Sequence, residues 1–67
     1  PEFINLEIFD MSGKLVRTLI NEEKTTGSHS VIWNGEDDNG ESLSGRVYLY
    51  KFQTGTGYIV KKRMIKI

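Results

Sequence analysis

From Ile4 the chain alternates between apolar and polar positions. Ile4, Leu6 and Ile8 are separated by Asn5 and Glu7 and followed by Phe9, the two-residue period of a half-buried strand. Asp10-Met11-Ser12-Gly13 then reads as a tight turn, because an Asp side chain can accept bonds from its own turn and Gly supplies a positive φ. Lys14 to Ile20 is predicted to return as a second strand. Its apolar positions, Leu15, Val16, Leu19 and Ile20, also fit a helical spacing, so the two-residue period is weakest here. Asn21 to Gly27 is polar and reads as a loop. A third strand is expected next, with His29, Val31 and Trp33 on one face and Ser28, Ser30 and Ile32 on the other. Asn34 to Gly45 holds Asn34-Gly35, Asn39-Gly40 and Ser44-Gly45, a dense run of turn signals. Val47 to Gln53 is the clearest strand, since Val, Tyr, Leu and Phe all suit a pleated, half-buried surface. Thr54 to Gly57 is a glycine-rich turn, and Tyr58 to Ile67 forms the last strand. Five short strands with glycine-rich connections predict an antiparallel β-sandwich.

The chain has 67 residues, which bounds it to one domain. A chain of this size buries only about 60% of its unfolded surface. With 37% hydrophobic residues and seven aromatics it can fill one thin core, and a deep substrate cavity would consume most of it. There is no cysteine, which excludes disulfides, thiolate metal sites and cysteine nucleophiles. No apolar run reaches the length of a membrane span. Pro1-Glu2-Phe3 matches a common cloning-linker scar, so the domain is taken as residues 4–67.

The net charge is zero but unevenly spread. Residues 1–45 carry nine acids against three bases, and residues 46–67 carry six bases and no acid. Either the late strands lie near the acidic loops, or Lys61, Lys62, Arg63 and Lys66 meet an anionic partner. Zero net charge gives little counterion-release drive, so no nucleic acid is expected.

The residues offer no catalytic group. The acidic loop from Asn34 to Glu41 fails as a calcium loop: with Gly40 at position six, Gly35 and Arg46 fall at positions one and twelve, and neither can be a ligand there. His29 has only Ser28 and Ser30 beside it, on the opposite face of a strand, so no nucleophile–base pair forms. Glu22-Glu23 and Asp37-Asp38 are adjacent pairs that point apart on extended chain rather than converging across a cleft. Thr54-Gly55-Thr56-Gly57 opens no helix and is not a phosphate loop. Tyr48, Tyr50 and Phe52 line one face and read first as core; if exposed with Trp33 they would suit sugar stacking. No enzyme, cofactor or metal is expected.

The features also fall in a telling order. Ile-Asn-Leu-Glu-Ile-Phe-Asp-Met-Ser-Gly-Lys-Leu-Val-Arg-Thr-Leu (Ile4 to Leu19) is followed by Thr26-Gly27 through Trp33-Asn34-Gly35. Then come Asp38-Asn39-Gly40, Ser44-Gly45, Val47-Tyr48-Leu49-Tyr50 and a basic, apolar ending. This resembles the type A C-terminal sorting domains of the type IX secretion system, and the related immunoglobulin-like domain of the flagellar hook-capping protein FlgD. The resemblance implies a small all-β, immunoglobulin-like or fibronectin-III-like sandwich of about five strands, without the first strand usual in these domains. The ending Lys62-Arg63-Met64-Ile65-Lys66-Ile67 favours the sorting group. That group implies a non-enzymatic signal that delivers a passenger domain through periplasm and outer membrane to the cell surface or medium. Its partners would be an outer-membrane translocon and a sortase-like peptidase. The expected partner contacts are Lys61, Lys62, Arg63 and Lys66, with Tyr48 and Tyr50 shaping the edge. Gly13, Gly27, Trp33, Gly35, Gly40 and Gly45 are expected to maintain the fold. An open sheet edge could also be filled by a second copy, giving a strand-completed homodimer. The alternatives are a FlgD-like structural assembly module and a carbohydrate-binding accessory module of a secreted hydrolase.

Overall fold

Three short motifs of one design punctuate the sequence: Asp10 to Lys14, Asp37 to Glu41 and Thr54 to Tyr58. In each, the first residue's N–H donates to the fifth residue's carbonyl at 2.9 Å, and a glycine N–H at the fourth position donates back at 3.0 Å. The fourth residue is Gly13, Gly40 or Gly57, with φ between 82° and 97°, where a side chain would be strained. The leading side chain completes the turn. Asp10 Oδ1 accepts from the Ser12 hydroxyl at 2.6 Å, the Ser12 N–H at 2.9 Å and the Lys14 N–H at 3.0 Å. Asp37 Oδ1 accepts from the N–H groups of Asn39 and Glu41. The Ser12 hydroxyl, followed by the Lys14 N–H, holds the Asp10 carboxyl below its ordinary pKa.

The first and last of these turns join the hairpins of a single sheet. The computed structural model describes residues 2–25, 30–45 and 47–65. Its strands are β1 (Glu2–Phe9), β2 (Leu15–Lys24), β3 (Val47–Thr54) and β4 (Ile59–Ile65). They lie in the order β2-β1-β3-β4, every neighbouring pair antiparallel, in one open sheet. The chain is thus all-β, in keeping with a small immunoglobulin-like fold. Glu2 and Phe3 take part in β1, opposite Lys24 and Glu23.

The helix-like spacing of the second strand has a structural cause. Leu6 pairs with Ile20 but Glu7 pairs with Thr18, and Ile8 pairs with Arg17 but Phe9 with Leu15. Leu19 and Val16 are therefore extra residues, one at each register shift, and each resets the two-residue period. The polar stretch Asn21 to Lys24, expected as loop, continues β2 instead. It is the outer strand, so its side chains face water while its backbone pairs with β1. The Asn5 amide donates to Asn21 Oδ1 at 3.3 Å, and Lys24 pairs with Glu22 at 2.9 Å.

The expected third strand, Ser28 to Trp33, is not formed over its described residues, 30–33. Apolar alternation specifies a strand only where a ladder partner exists. Here no second sheet is present among the described residues, and Ile32 is 89% exposed. His29 and Gly27 lie outside the described residues. The segment from residue 30 to 45 instead folds on itself and caps one end of the sheet. The Gly35 carbonyl accepts from the Leu43 N–H, Glu36 and Ser42 form an isolated bridge, and the Asp38 N–H donates to the Val16 carbonyl. Among the described residues only Ile8 (1% exposed) and Tyr48 (4%) are buried apolar side chains.

Candidate functional site

Register and alternation assign every strand residue to a face. Ile8 lies opposite Tyr50, Leu6 opposite Phe52, and Phe52 opposite Val60, so these share one face with Ile4, Ile20 and Tyr48. The other face carries Asn5, Glu7, Lys51 and Gln53, and is polar at its centre. There Lys51 Nζ and Glu7 Oε1 stand 3.0 Å apart, both side chains mostly buried.

The apolar face is covered at one end only. Trp33 meets Tyr48 edge-on, ring centres 5.1 Å apart and planes at 75°. The Trp33 indole N–H donates to the Glu36 carbonyl at 2.9 Å, and the Arg17 guanidinium reaches the same carbonyl and that of Asp37. The Tyr48 hydroxyl donates to the Ser44 carbonyl, four residues upstream at the entrance to β3. A tyrosine tied back to the backbone at a strand entrance is the tyrosine corner of immunoglobulin-type sandwiches. Gly45 lets the chain turn into this corner at φ 91°, and a Cβ there would stand 3.6 Å from the Tyr48 oxygen.

Beyond the cap the face lies open as a trough of about 720 Å³. Its floor is Ile4, Leu6, Ile20, Tyr50, Phe52 and Val60, with Tyr58 at one end and Ser30 and Val31 along its wall. Phe52 and Tyr58 stack edge-to-face at 6.5 Å. In a two-sheet sandwich the second sheet would fill this space.

Along the trough runs β4, which pairs with β3 alone. Lys61, Lys62 and Arg63 on it are exposed and make no ion pair among the described residues. These expected partner contacts are divided between the two faces of the sheet. Lys62 lies opposite Tyr50 on the apolar face, while Lys61 and Arg63 lie opposite Lys51 and Leu49 on the other. What they share is the outer edge of the sheet. Lys66 lies outside the described residues. Tyr48, expected as a partner contact shaping the edge, has its ring buried and its hydroxyl engaged within the fold. Tyr50 is half-buried on the trough floor. Trp33, Gly13, Gly35, Gly40 and Gly45 all sit in the cap or the turns.

Two positions of consequence were given no site role in the sequence. Asp38 belongs to an acidic run that reads as solvated turn, yet its carboxylate accepts from the Thr18 N–H at 3.0 Å and lies 3.7 Å from Arg17 Nε. Val60 is one apolar residue before a basic run, and only register shows that it lines the trough. Among the described residues, no three His, Cys, Asp or Glu side chains are grouped to hold a metal. Nor is any helix there long and apolar enough to cross a membrane.

The corner, the cap and the antiparallel sheet agree with what comparison finds. A family model, the FlgD Ig-like domain, matches residues 2–57. The chain belongs to that family. No curated protein and no solved structure matches it. Within this FlgD Ig-like domain the match spans β1, β2, the cap and β3, and β4 lies beyond it. The match supports the FlgD side of the resemblance and lends nothing to the type IX sorting side.

Proposed function

We propose that this FlgD Ig-like domain is a non-catalytic structural module that docks through its open apolar face and basic edge strand. The observation that carries the reading is the trough. Among the described residues this chain presents a single sheet whose apolar face, with Leu6, Phe52 and Val60 half-buried on its floor, has no second sheet over it, and such an open apolar trough is where a partner would dock. Beside it, Arg17, Trp33 and Tyr48 spend their polar groups on carbonyls of the cap. A photo-crosslinking amino acid placed at Val60 should give a discrete crosslinked product in the cell, whereas one at Met11, in the distant first turn, should give none. Equal, diffuse products from both positions would remove the docking reading.

A second reading, a sorting signal for outer-membrane export to the cell surface, rests on β4 alone, with its Lys-Lys-Arg-Met run. It is tested by fusing residues 4–67 to a periplasm-directed fluorescent reporter in a bacterium with type IX secretion. Surface or medium delivery that disappears when residues 61–67 are removed would establish export, with the translocon and sortase-like peptidase as partners. Retention of both fusions would leave the structural module.

A further inference from the structure

We infer that copies of this domain dock head to tail, β4 of one against the β2 side of the next. This deepens the structural-module reading and rests on it. Three observations converge.

The first is direction. Strand polarity alternates across β2-β1-β3-β4, so β2 runs antiparallel to β4. A second copy displaced sideways, without rotation, would set its β2 antiparallel to β4 and extend the same sheet with all apolar faces on one side.

The second is charge. Lys61, Lys62 and Arg63 on the β4 edge are exposed and without an ion pair among the described residues. The opposite side carries the acidic cap residues Asp37, Asp38 and Glu41, with Arg17 of β2 paired to Asp38. A two-fold contact of β4 with β4 would face cation with cation, so complementarity selects the heterologous contact.

The third is height. Following the rows across the sheet, Lys61 is level with Thr18, Lys62 with Arg17 and Arg63 with Leu15. Asp38 is bonded at that level, to the Val16 carbonyl and the Thr18 N–H. The cations of one copy therefore meet the acidic cap of the next. One step down, Ile59 and Val60 are level with Asn21 and Ile20, where β2 has no cap beside it. Backbone pairing and apolar contact would form there, and a side-by-side array would join the troughs into one continuous apolar groove. Because the contact is heterologous and does not close, its product is an open chain of copies.

Sedimentation velocity of the 67-residue chain tests this. At low salt the average mass should climb with concentration, and the climb should vanish at about 1 M salt, where the screening length is about 3 Å. The triple variant Lys61→Glu, Lys62→Glu, Arg63→Glu should be monomeric, as should Glu41→Lys. An equimolar mixture of the two should associate again, because each restores the other's missing complement. Far-ultraviolet circular dichroism and Trp33 fluorescence show that each variant is folded. A monomer at every concentration in low salt would overturn the inference and leave β4's cations as guards against edge pairing. Association that survives both reversals, or a mixture that stays monomeric, would overturn it equally. Val60 lies within the proposed contact, so the outcome that separates the two readings is a chain that stays monomeric here yet still crosslinks from Val60 in the cell: it overturns the self-association and leaves the docking reading standing.

Discussion

The Tyr48 corner holds the cap to the sheet, and two substitutions separate its hydrogen bond from its packing. Tyr48→Phe removes the hydroxyl bonded to the Ser44 carbonyl and keeps the ring against Trp33. A net intramolecular hydrogen bond is worth about 1 kcal/mol, and Ser44 is exposed, so water can satisfy its carbonyl afterwards. Tyr48→Ala removes one of the two buried apolar side chains among the described residues, at a cost of about 3–5 kcal/mol from cavity formation. The edge-on contact with Trp33 adds about 1 kcal/mol to that loss. A chain of this length has a total stability on the order of 3–10 kcal/mol. Tyr48→Phe should therefore fold with a slightly lowered urea midpoint, and Tyr48→Ala should lose about 4–6 kcal/mol, several times as much. Trp33 is the only tryptophan, so its fluorescence reads this contact directly. With a slope of about 1 kcal/mol/M, the Phe variant's midpoint should fall by about 1 M at unchanged slope. A Phe variant as damaged as the Ala variant, or an Ala variant with a normal transition, would refute the corner as the anchor of the cap.

Other substitutions probe the turns and the polar face. Gly45→Ala should cost about 1–2 kcal/mol in urea unfolding, because φ is 91° there and an L-residue resists it. Asp10 has a depressed carboxyl pKa in the folded state, so its contribution is present above the unfolded-state value and is lost as pH falls through the folded-state value. Asp10→Asn should accordingly lower the urea midpoint at neutral pH and flatten its acid-limb pH dependence; parallel limbs for the two proteins would contradict this. Glu7→Gln should cost about 1 kcal/mol, because Lys51 is left mostly buried beside a neutral group, with less salt dependence than the parent chain.

Much of the fold was legible because its signals are local. The turn at Asp10 to Gly13 needs only a side-chain acceptor and a glycine, and β1 and β3 alternate cleanly. What escaped depends on neighbours. Asn21 to Lys24 is polar because it is an outer strand, and polarity alone cannot distinguish that from a loop. The bulges at Val16 and Leu19 mimic helical spacing until the partner strand is known. Residues 30–33 show strand alternation without a ladder to join, because no second sheet is there among the described residues. The site was partly legible. The basic run was visible in the sequence, but its division between two faces of one edge is a matter of register. The trough, assembled from β1, β2, β3 and β4, has no contiguous signature at all.

The central claim is that the floor of the trough is covered when the domain is at work. The chain has no cysteine, so single cysteines can be placed and labelled without background. Val60→Cys on the trough floor and Met11→Cys in the exposed first turn would be treated with a maleimide, once in the isolated domain and once in the protein as the cell assembles it. The account predicts that Cys at Val60 is labelled in isolation and protected in the assembly, while Cys at Met11 is labelled in both. Equal labelling at Val60 in both settings would contradict it.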